Sequence, residues 1–426
     1  MCNGTSLPEA IIFNILSVLP VKTLCRFKCV SISCRTLISD PVFAKTQLDR
    51  NNKRERLILI ASSLYSVDCT EASNSGAVTA TNLNFPSTGW GKMVGSCNGL
   101  ILLVNDERTM FLWNPSTSEF SELPKCPFYA LNPVVPTYTM YGLGYVSSLD
   151  DYKVVIVLHY SNSDKVVQVL HYSNSDTFIG VYTLRTNSWS SNWIPDFPYH
   201  RIRGPESGVL VDGSLHWLAY KSSNHRYVIC AFDLTDEKFR DVLVPRSLNY
   251  PNPETPNDLG VLGGCLTTLA CRDCSQIDIW VMKEYGVSES WTKFTIYIKS
   301  MPFGPTLMFS PVDGVLLLID RNKLVACNLK EETLRDIKVH GIPYSFRAKK
   351  TYVESLISPH YNVVMRENKG IPNLKREMKF LVKVALYCCR LILGEYPETW
   401  IVALVAYKWQ SQSTLLECSS SVFAPQ

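Results

Sequence analysis

The sequence lacks a strong charge imbalance and any apolar run long enough to cross a membrane. Lys and Arg number 42 against 38 Asp and Glu, and the formal net charge of +4 is too small to predict binding to nucleic acid. The longest apolar stretch, 380–393, is interrupted by Lys383 and Arg390, whereas a membrane span needs roughly 20 apolar residues. The sequence therefore predicts neither a nucleic-acid partner nor a membrane partner.

The sequence also lacks the cysteine spacing of a disulfide framework and a secretory signal. The 15 cysteines are odd in number and scattered, and the first residues, MCNGTSLPEA, contain no basic segment followed by an apolar run. Free thiols are typical of a reducing compartment. We therefore expect the chain in the cytoplasm, the nucleus or both, with its 426 residues divided between one small and one large domain.

No complete catalytic, nucleotide-binding or metal-binding motif is present. The GSCNG at 95–99 has its serine in the second position, not at the centre of a G-x-S-x-G turn, and the GLG at 142–144 has no helix pattern after it. Cys271 and Cys274 have C-x-x-C spacing, but no second pair follows at zinc-finger distance, so we interpret them as thiols. The sequence predicts a non-enzymatic protein with no cofactor and no metal.

What is present begins with a short helical segment at the N-terminus. Apolar residues of its first part recur at helical spacing, at Ile12, Ile15, Leu16 and Leu19. Pro20 ends this helix, and residues 24–30 and 34–38 predict two more, the last stopped at Asp40-Pro41 because a residue before proline avoids the α region. Three short helices bury little surface, so we expect this unit to pack on a partner or on a second domain.

Residues 1–48 resemble an F-box of the plant type. The matching text is LP at 7–8, IL at 15–16, LPVK at 19–22, RFKCVS at 26–31, LI at 37–38, Pro41 and Phe43. An F-box docks on the Skp-type adaptor of an SCF complex, which tethers it to a cullin. The resemblance therefore implies adaptor contacts at Leu7, Pro8, Leu16, Pro20, Leu24, Val30 and Cys34.

Two positions of this segment depart from the plant pattern. Cys34 replaces a tryptophan, and Ile32 replaces a lysine. Loss of a large buried aromatic side chain can cost roughly 3–5 kcal/mol. The departure therefore predicts, as an alternative, a weakened contact with the adaptor.

The body of the chain shows a repeat. After a polar, mainly basic segment at 49–56, interpreted as a linker, short β-branched and aromatic runs alternate with turn residues over 57–359. A pattern of one apolar residue, one aromatic, one variable and one apolar recurs, with second residues Tyr65, Trp113, Tyr182, Phe232, Trp280 and, less typically, Cys327. The intervals are 48, 69, 50, 48 and 47 residues. A period near 48 is typical of propeller blades, so we predict an all-β, six-bladed, propeller-like domain after the helices.

The long interval contains a tandem duplication. KVVIVLHYSNSD at 153–164 is followed by KVVQVLHYSNSD at 165–176, and the two copies differ at one position. An insertion of this length inside a strand would break its register, so we expect the extra copy to lengthen one hairpin. His159 and His171 are then copies of one residue and not an independently placed pair.

The repeats resemble the F-box-associated domain of plant F-box proteins, including kelch-labelled and S-locus relatives. Matching stretches include GSCNGLILL, LWNPST, YGLGYVSSLDDYKVV, GSLHWLA and AFDLTDEKF. Together the resemblances imply a non-catalytic substrate-recognition subunit of an SCF-type E3 ubiquitin ligase, whose β domain binds a protein target of unknown identity for ubiquitination. The alternative is a propeller interaction module or decoy that acts outside the ligase.

Three further expectations concern the surface and the tail. Segments 125–138, 196–206 and 245–258 lie between repeats and are rich in Pro, Tyr, Phe and Asn, so we expect them to bind the target. The repeat tryptophans are expected to pack in the core: Trp113, Trp189, Trp217, Trp280 and Trp291.

Residues 360–426 match no repeat, and their pattern predicts a helix at 375–393. This tail is expected to pack on the propeller or, as we favour, to stay poorly ordered.

Overall fold

The structure is a computed structural model with two compact units, residues 1–51 with 368–426 and residues 52–367. The residues that it describes are 9–50, 54–83, 85, 91–131, 135–161, 175–195, 197–201, 206–221, 223, 225–245, 248, 256–272, 276–297, 306–309, 315–320, 323–328, 333–342 and 346–360. The predicted tail helix at 375–393 lies outside these residues.

The described part of the first unit is helical. Its helices are α1 (Glu9–Ser17), α2 (Val21–Phe27), α3 (Ile32–Ile38) and α4 (Pro41–Arg50). Ser31 caps α3 by accepting the backbone N–H of Cys34 at 3.1 Å. Two further small helices, α5 (Cys69–Asn74) and α6 (Pro127–Leu131), belong to the second unit.

The three predicted N-terminal helices are present as α1, α2 and α3, and the count is corrected to four because α4 follows them. Asp40 caps α4, since its Oδ1 accepts the N–H groups of Val42 and Phe43 at 2.8 and 3.1 Å. Pro41 occupies the first helical position, where an N–H would have no partner. The Asp-Pro pair therefore follows the end of α3 and also starts α4. In the sequence alone, only its role in ending a helix is recognised.

Helix α4 completes the bundle by contacting α1. The Phe13 and Phe43 rings meet edge to face at 5.2 Å, and Gln47 Nε2 donates to the Leu19 carbonyl at 3.2 Å. At its other end, Arg50 donates to Asn14 Oδ1 at 2.8 Å. A short helix is marginal alone, so these contacts account for the stability of α1.

The second unit is built of antiparallel sheets with one parallel addition. Its strands are β1 (Glu55–Ile60), β2 (Leu64–Asp68), β3 (Ala77–Thr79), β4 (Thr81–Leu83), β5 (Lys92–Cys97), β6 (Leu100–Val104), β7 (Met110–Asn114), β8 (Glu119–Glu122), β9 (Tyr138–Val146), β10 (Asp151–Ser161), β11 (Ser175–Thr183), β12 (Ser188–Pro195), β13 (Tyr199–Arg201), β14 (Val209–Val211), β15 (Ser214–Lys221), β16 (Arg226–Asp233), β17 (Phe239–Leu243), β18 (Pro256–Leu262), β19 (Cys265–Arg272), β20 (Gln276–Met282), β21 (Trp291–Tyr297), β22 (Thr306–Phe309), β23 (Val315–Asp320), β24 (Lys323–Asn328), β25 (Thr333–His340) and β26 (Arg347–Val353).

These strands form six sheets, which are the blades of a propeller. From the channel outward, blade I contains β26, β1, β2 and β4, blade II β5 to β8, and blade III β9 to β12. Blade IV contains β13 and β14, which both pair with β15, then β16 and β17; blade V contains β18 to β21, and blade VI β22 to β25 with β3 outermost. The innermost strands contact one another in turn around the ring. The predicted six-bladed propeller is confirmed.

The ring is closed twice by strands from the two ends of the unit. β26 pairs with β1 from Glu55↔Val353 to Ile60↔Arg347. β3 runs parallel to β25, with Lys338 opposite Ala77. The linker predicted at 49–56 is accordingly shorter, because α4 extends to Arg50 and β1 begins at Glu55.

The recurring sequence pattern marks the third strand of every blade, which is β2, β7, β11, β16, β20 or β24. This strand is covered on both sides in the sheet, and its Trp113, Tyr182, Phe232 and Cys327 are buried. A strand covered in this way favours apolar side chains, which are aromatic in five of the six repeats. The repeat interval seen in the sequence is therefore the interval between the third strands of successive blades.

Three of the five repeat tryptophans also join neighbouring blades. The indole N–H of Trp189 donates to the Pro124 carbonyl at 2.7 Å, from blade III to the end of blade II. Trp217 donates to Tyr141 at 3.0 Å, and Trp291 donates to the Leu243 carbonyl at 3.0 Å. Trp113 and Trp217 are almost fully buried, so core packing is confirmed for them, while Trp189 and Trp280 keep some exposure.

The duplication does not interrupt the described strands. The first copy lies on β10, and the β10–β11 pairing runs without a break from Lys153↔Thr183 to Ser161↔Ser175. Residues 162–174, which hold most of the second copy, lie outside the described residues. The prediction that the extra copy lengthens this hairpin falls on those residues and stays a prediction.

Candidate interaction sites

Helix α1 and the turn that follows it carry two apolar stripes. Ile12, Leu16 and Leu19 form one, and all three are buried. Ile11, Ile15 and Val18 form the other at i, i+4 and i+7, and it is partly exposed, with Val18 at 47%. An apolar stripe that is left open on a small helical unit is typical of a docking surface.

The seven residues predicted to contact an adaptor fall into three groups. Leu16, Leu24 and Cys34 are buried, at 6%, 0% and 6% exposure. Pro20 and Val30 keep part of their surface open. Leu7 and Pro8 lie outside the described residues, so contact with an adaptor stays a prediction for all seven.

Alternation of strand direction gives the propeller two faces. The turns that join first to second and third to fourth strands lie at one face, which we call the turn face. The connections from second to third strands, and from each blade to the next, lie at the opposite face, which we call the linking face. Segments 125–138 and 245–258 lead from one blade to the next at the linking face, and 196–206 begins at that face and then runs into blade IV through β13.

Parts of these three segments are regular structure and not loop. α6 lies in the first segment, and β13 lies in the second, where it pairs with β15 from Tyr199↔Lys221. The third segment ends in β18, which begins at Pro256. The expectation that they are loops is therefore corrected for these residues, and target binding by the segments stays a prediction.

Large apolar side chains are exposed near the linking face. They lie in blades III to V and in the chain that leads to them: Val135 at 68%, Trp193 at 51%, Leu243 at 54% and Tyr297 at 72%. The corresponding side chains nearest the turn face are Phe120 at 39%, Leu149 at 47% and Val287 at 39%. The more exposed set supports the linking face as the contact surface for a partner.

Two histidines meet near this face where blade III adjoins blade IV, His159 on β10 and His200 on β13. The ring of His159 stacks on Tyr138 at 4.5 Å and meets His200 edge to face at 5.6 Å. Its Nδ1 lies 2.8 Å from Thr177 Oγ1. Burial lowers the pKa of His159 to about 4, with a smaller contribution from the nearby His200. In blade IV burial likewise lowers the pKa of His216 to about 4.

These two histidines predict a loss of stability in mild acid. Because the folded pKa of about 4 lies below the ordinary 6.5, the unfolded chain binds more protons between these values, and stability falls as the pH drops from 6.5 towards 4. We expect up to about 2 kcal/mol per histidine to be lost between pH 7 and pH 5. Urea unfolding at both pH values measures the loss, and His159→Gln with His216→Gln should remove most of the difference. Equal loss in the double variant would contradict this assignment.

The described residues include no group of three or more His, Cys, Asp or Glu side chains arranged to hold a metal ion. Cys274 lies outside them, so the interpretation of the C-x-x-C pair is untested. No helix in the described part of the chain is sufficiently long and apolar to cross a membrane.

Comparison with known proteins agrees with this architecture. Residues 55–361 match the F-box associated beta propeller domain, and residues 5–46 match the F-box domain. F-box protein CPR1 of Arabidopsis thaliana is 32% identical over 414 residues, covering 89% of this chain and 98% of that protein. An F-box/kelch-repeat protein of the same plant is 28% identical over 376 residues, covering 84% and 98%. The chain therefore belongs to the family of F-box proteins with an F-box-associated β-propeller domain.

Proposed function

We propose that this chain is the substrate-recognition subunit of an SCF-type E3 ubiquitin ligase. Its F-box would bind a Skp-type adaptor and through it a cullin, and its propeller would hold a protein target for ubiquitination by other subunits. The observation that carries the proposal is the open apolar stripe of Ile11 and Ile15 on α1 and Val18 just after it, in an F-box followed by a propeller. We place this activity in the cytoplasm, the nucleus or both.

Disruption of the open stripe is expected to abolish adaptor binding. Ile15→Asp with Val18→Asp puts two charges on the apolar surface while leaving the buried stripe intact. We expect at least about a tenfold loss of adaptor affinity, since about 1.4 kcal/mol corresponds to that factor. Co-purification of the full chain with a Skp-type adaptor and a cullin, followed by titration of the adaptor, measures the effect.

A matched control is Val287→Asp, the same change at an exposed valine of the propeller. This variant should bind the adaptor as the unchanged chain does, and circular dichroism should show equal helix content in all variants. Adaptor binding that survives both charges would contradict docking through α1.

The second candidate function is a propeller interaction module outside the ligase. The buried position of Cys34 favours it, because the related pattern has a large tryptophan there and a cysteine fills less volume. If the full chain binds no Skp-type adaptor while Cys34→Trp does, this second function is supported. A bound target whose turnover is unchanged by proteasome inhibition would support it as well.

A further inference from the structure

Asp176 is a buried carboxylate with one oxygen that has no partner in the described part of the chain. It lies at the start of β11 at 3% exposure. Its Oδ1 accepts the indole N–H of Trp193 at 3.0 Å. Its Oδ2 is buried and has no hydrogen bond. A buried charge with an unsatisfied oxygen costs several kcal/mol unless a donor or a cation serves it.

Several aromatic side chains lie on the same part of the sheet as this carboxylate. Tyr160 of β10 lies directly opposite Asp176, and Phe178 is on the same face of β11. The Phe178 ring lies 5.9 Å from Tyr160 and 4.7 Å from Phe128 of α6. Trp193 pairs with Phe178 across β11 and β12. Ring faces attract cations within about 6 Å, and so does a carboxylate, so both parts of the cluster favour the same charge.

Part of the cluster is exposed near the linking face, at Trp193 and to a smaller extent at Phe178. Asp176 belongs to the second residue pair after the β10–β11 connection, and Trp193 is near the end of β12. The Trp193 side chain is 51% exposed, and its indole N–H donates to the Asp176 carboxylate. A partner on this face would thus meet the indole first and the carboxylate behind it.

We propose that Asp176, Trp193, Phe178, Tyr160 and Phe128 form a pocket for a basic side chain of a protein partner. The ligand is an arginine or lysine whose cationic group bonds to Asp176 Oδ2 and lies against the rings. This inference rests on the proposed function for its biological setting, because the partner would be the ubiquitination target, but the pocket itself is independent of adaptor binding.

The test uses the full chain labelled with 5-fluorotryptophan and observed by fluorine NMR. Trp193→Phe identifies the Trp193 resonance, and N-acetyl-arginine amide is the probe. We expect a saturable shift of this resonance. N-acetyl-citrulline amide, which has nearly the same shape and no charge, should bind at least tenfold more weakly.

Two variants separate the pocket from the fold. Asp176→Asn keeps an oxygen for the Trp193 N–H and removes the charge, and it should weaken arginine binding at least tenfold. Phe128→Leu keeps an apolar side chain and removes one ring, and it should weaken binding severalfold even if Asp176→Asn does not fold. Asp336→Asn, at an exposed carboxylate paired with Lys323, is the control and should bind as the unchanged chain does.

Three results would overturn the pocket: no saturable shift, an equal shift with the citrulline probe, or full affinity in Asp176→Asn. A fourth is binding that appears only in Lys165→Met, because the carboxylate would then serve this chain's own lysine. Adaptor co-purification is measured on the same samples. If the adaptor binds and the probe does not, the pocket fails and the proposed function stands; if the probe binds and the adaptor does not, the reverse holds.

Discussion

Ending the chain after Phe346, which removes β26, is expected to abolish the cooperatively folded propeller. β26 is the innermost strand of blade I, and it joins the last part of the chain to β1 near its beginning. Without it β1 loses its pairing partner on the channel side, and the ring of innermost strands is open between blades VI and II. We expect no cooperative unfolding transition in this variant, as measured by urea denaturation.

The size of the effect follows from what β26 buries. Tyr352 is 4% exposed and packs with Ile58, Leu64 and Trp113 in the core between blades I and II. Its hydroxyl lies 3.2 Å from Ser66 Oγ. Lys350 of β26 donates to the Ser207 hydroxyl, which lies between β13 and β14 of blade IV. Loss of one buried aromatic residue alone costs about 3–5 kcal/mol, and a domain holds only about 5–15 kcal/mol of net stability.

The control chain ends after His360 and keeps every described strand of the propeller. It should unfold with the midpoint of the full chain, and the family match ends at almost the same residue, 361. A peptide of residues 347–360 added to the shorter chain should restore a cooperative transition. A shorter chain that unfolds like the control would show that β26 is dispensable and that the ring is not closed by it.

The sequence was sufficient for features that repeat and are local. The third strand of each blade lies between two others, so its mostly aromatic pattern recurs near 48 residues and predicts the blade number. Helices α1 to α3 follow from apolar spacing and prolines in the same way. In both cases the residues that form the pattern lie in the helix or strand that the pattern predicts, or a few residues from it.

Features that depend on distant partners were not predictable. β3 becomes a strand because β25, more than 250 residues later, offers it a parallel edge. The innermost strand of blade IV is divided into β13 and β14, and between them Tyr141 of blade III bonds to the backbone of Glu206 and Gly208. Neither partner is visible in the local sequence.

The pocket around Asp176 was missed for a related reason. Asp176 is the last residue of the second copy of the duplicated segment, and only the pairing with β10 places Tyr160 opposite it. Trp193 lies outside the repeat pattern, so the repeat gives no signal for it. A carboxylate followed within two residues by an aromatic side chain at the start of a strand was the one available signal.

Asn114→Asp is expected to destabilise the propeller by about 3–5 kcal/mol. Asn114 is at the end of β7 and fully buried. Its Nδ2 donates to the carbonyls of Ser355 at 3.1 Å and Ile357 at 2.8 Å. The side-chain amide therefore fastens the segment after β26 to blade II, and Gly99 permits the close approach, since a Cβ there would lie 2.1 Å from Ser355 Oγ.

The substitution hardly changes the volume of the side chain, but it replaces a hydrogen-bond donor by a negatively charged acceptor. A carboxylate has no N–H, so two buried carbonyls would lose their donor and face a negative charge in a site closed to water. The unchanged Oδ1 still accepts the Ser116 N–H at 2.8 Å, so the loss is confined to the fastening of Ser355 and Ile357. The midpoint of urea unfolding at pH 7 measures it.

Asn187→Asp is the matched control for this prediction. Asn187 is exposed, and its Oδ1 accepts the Tyr182 hydroxyl at 2.7 Å, which a carboxylate can also do. The same chemical change should therefore cost less than about 1 kcal/mol there. Equal effects at the two positions would mean that the new charge itself destabilises the chain. A large effect only at Asn114 would assign the loss to the amide that holds the closing segment in place.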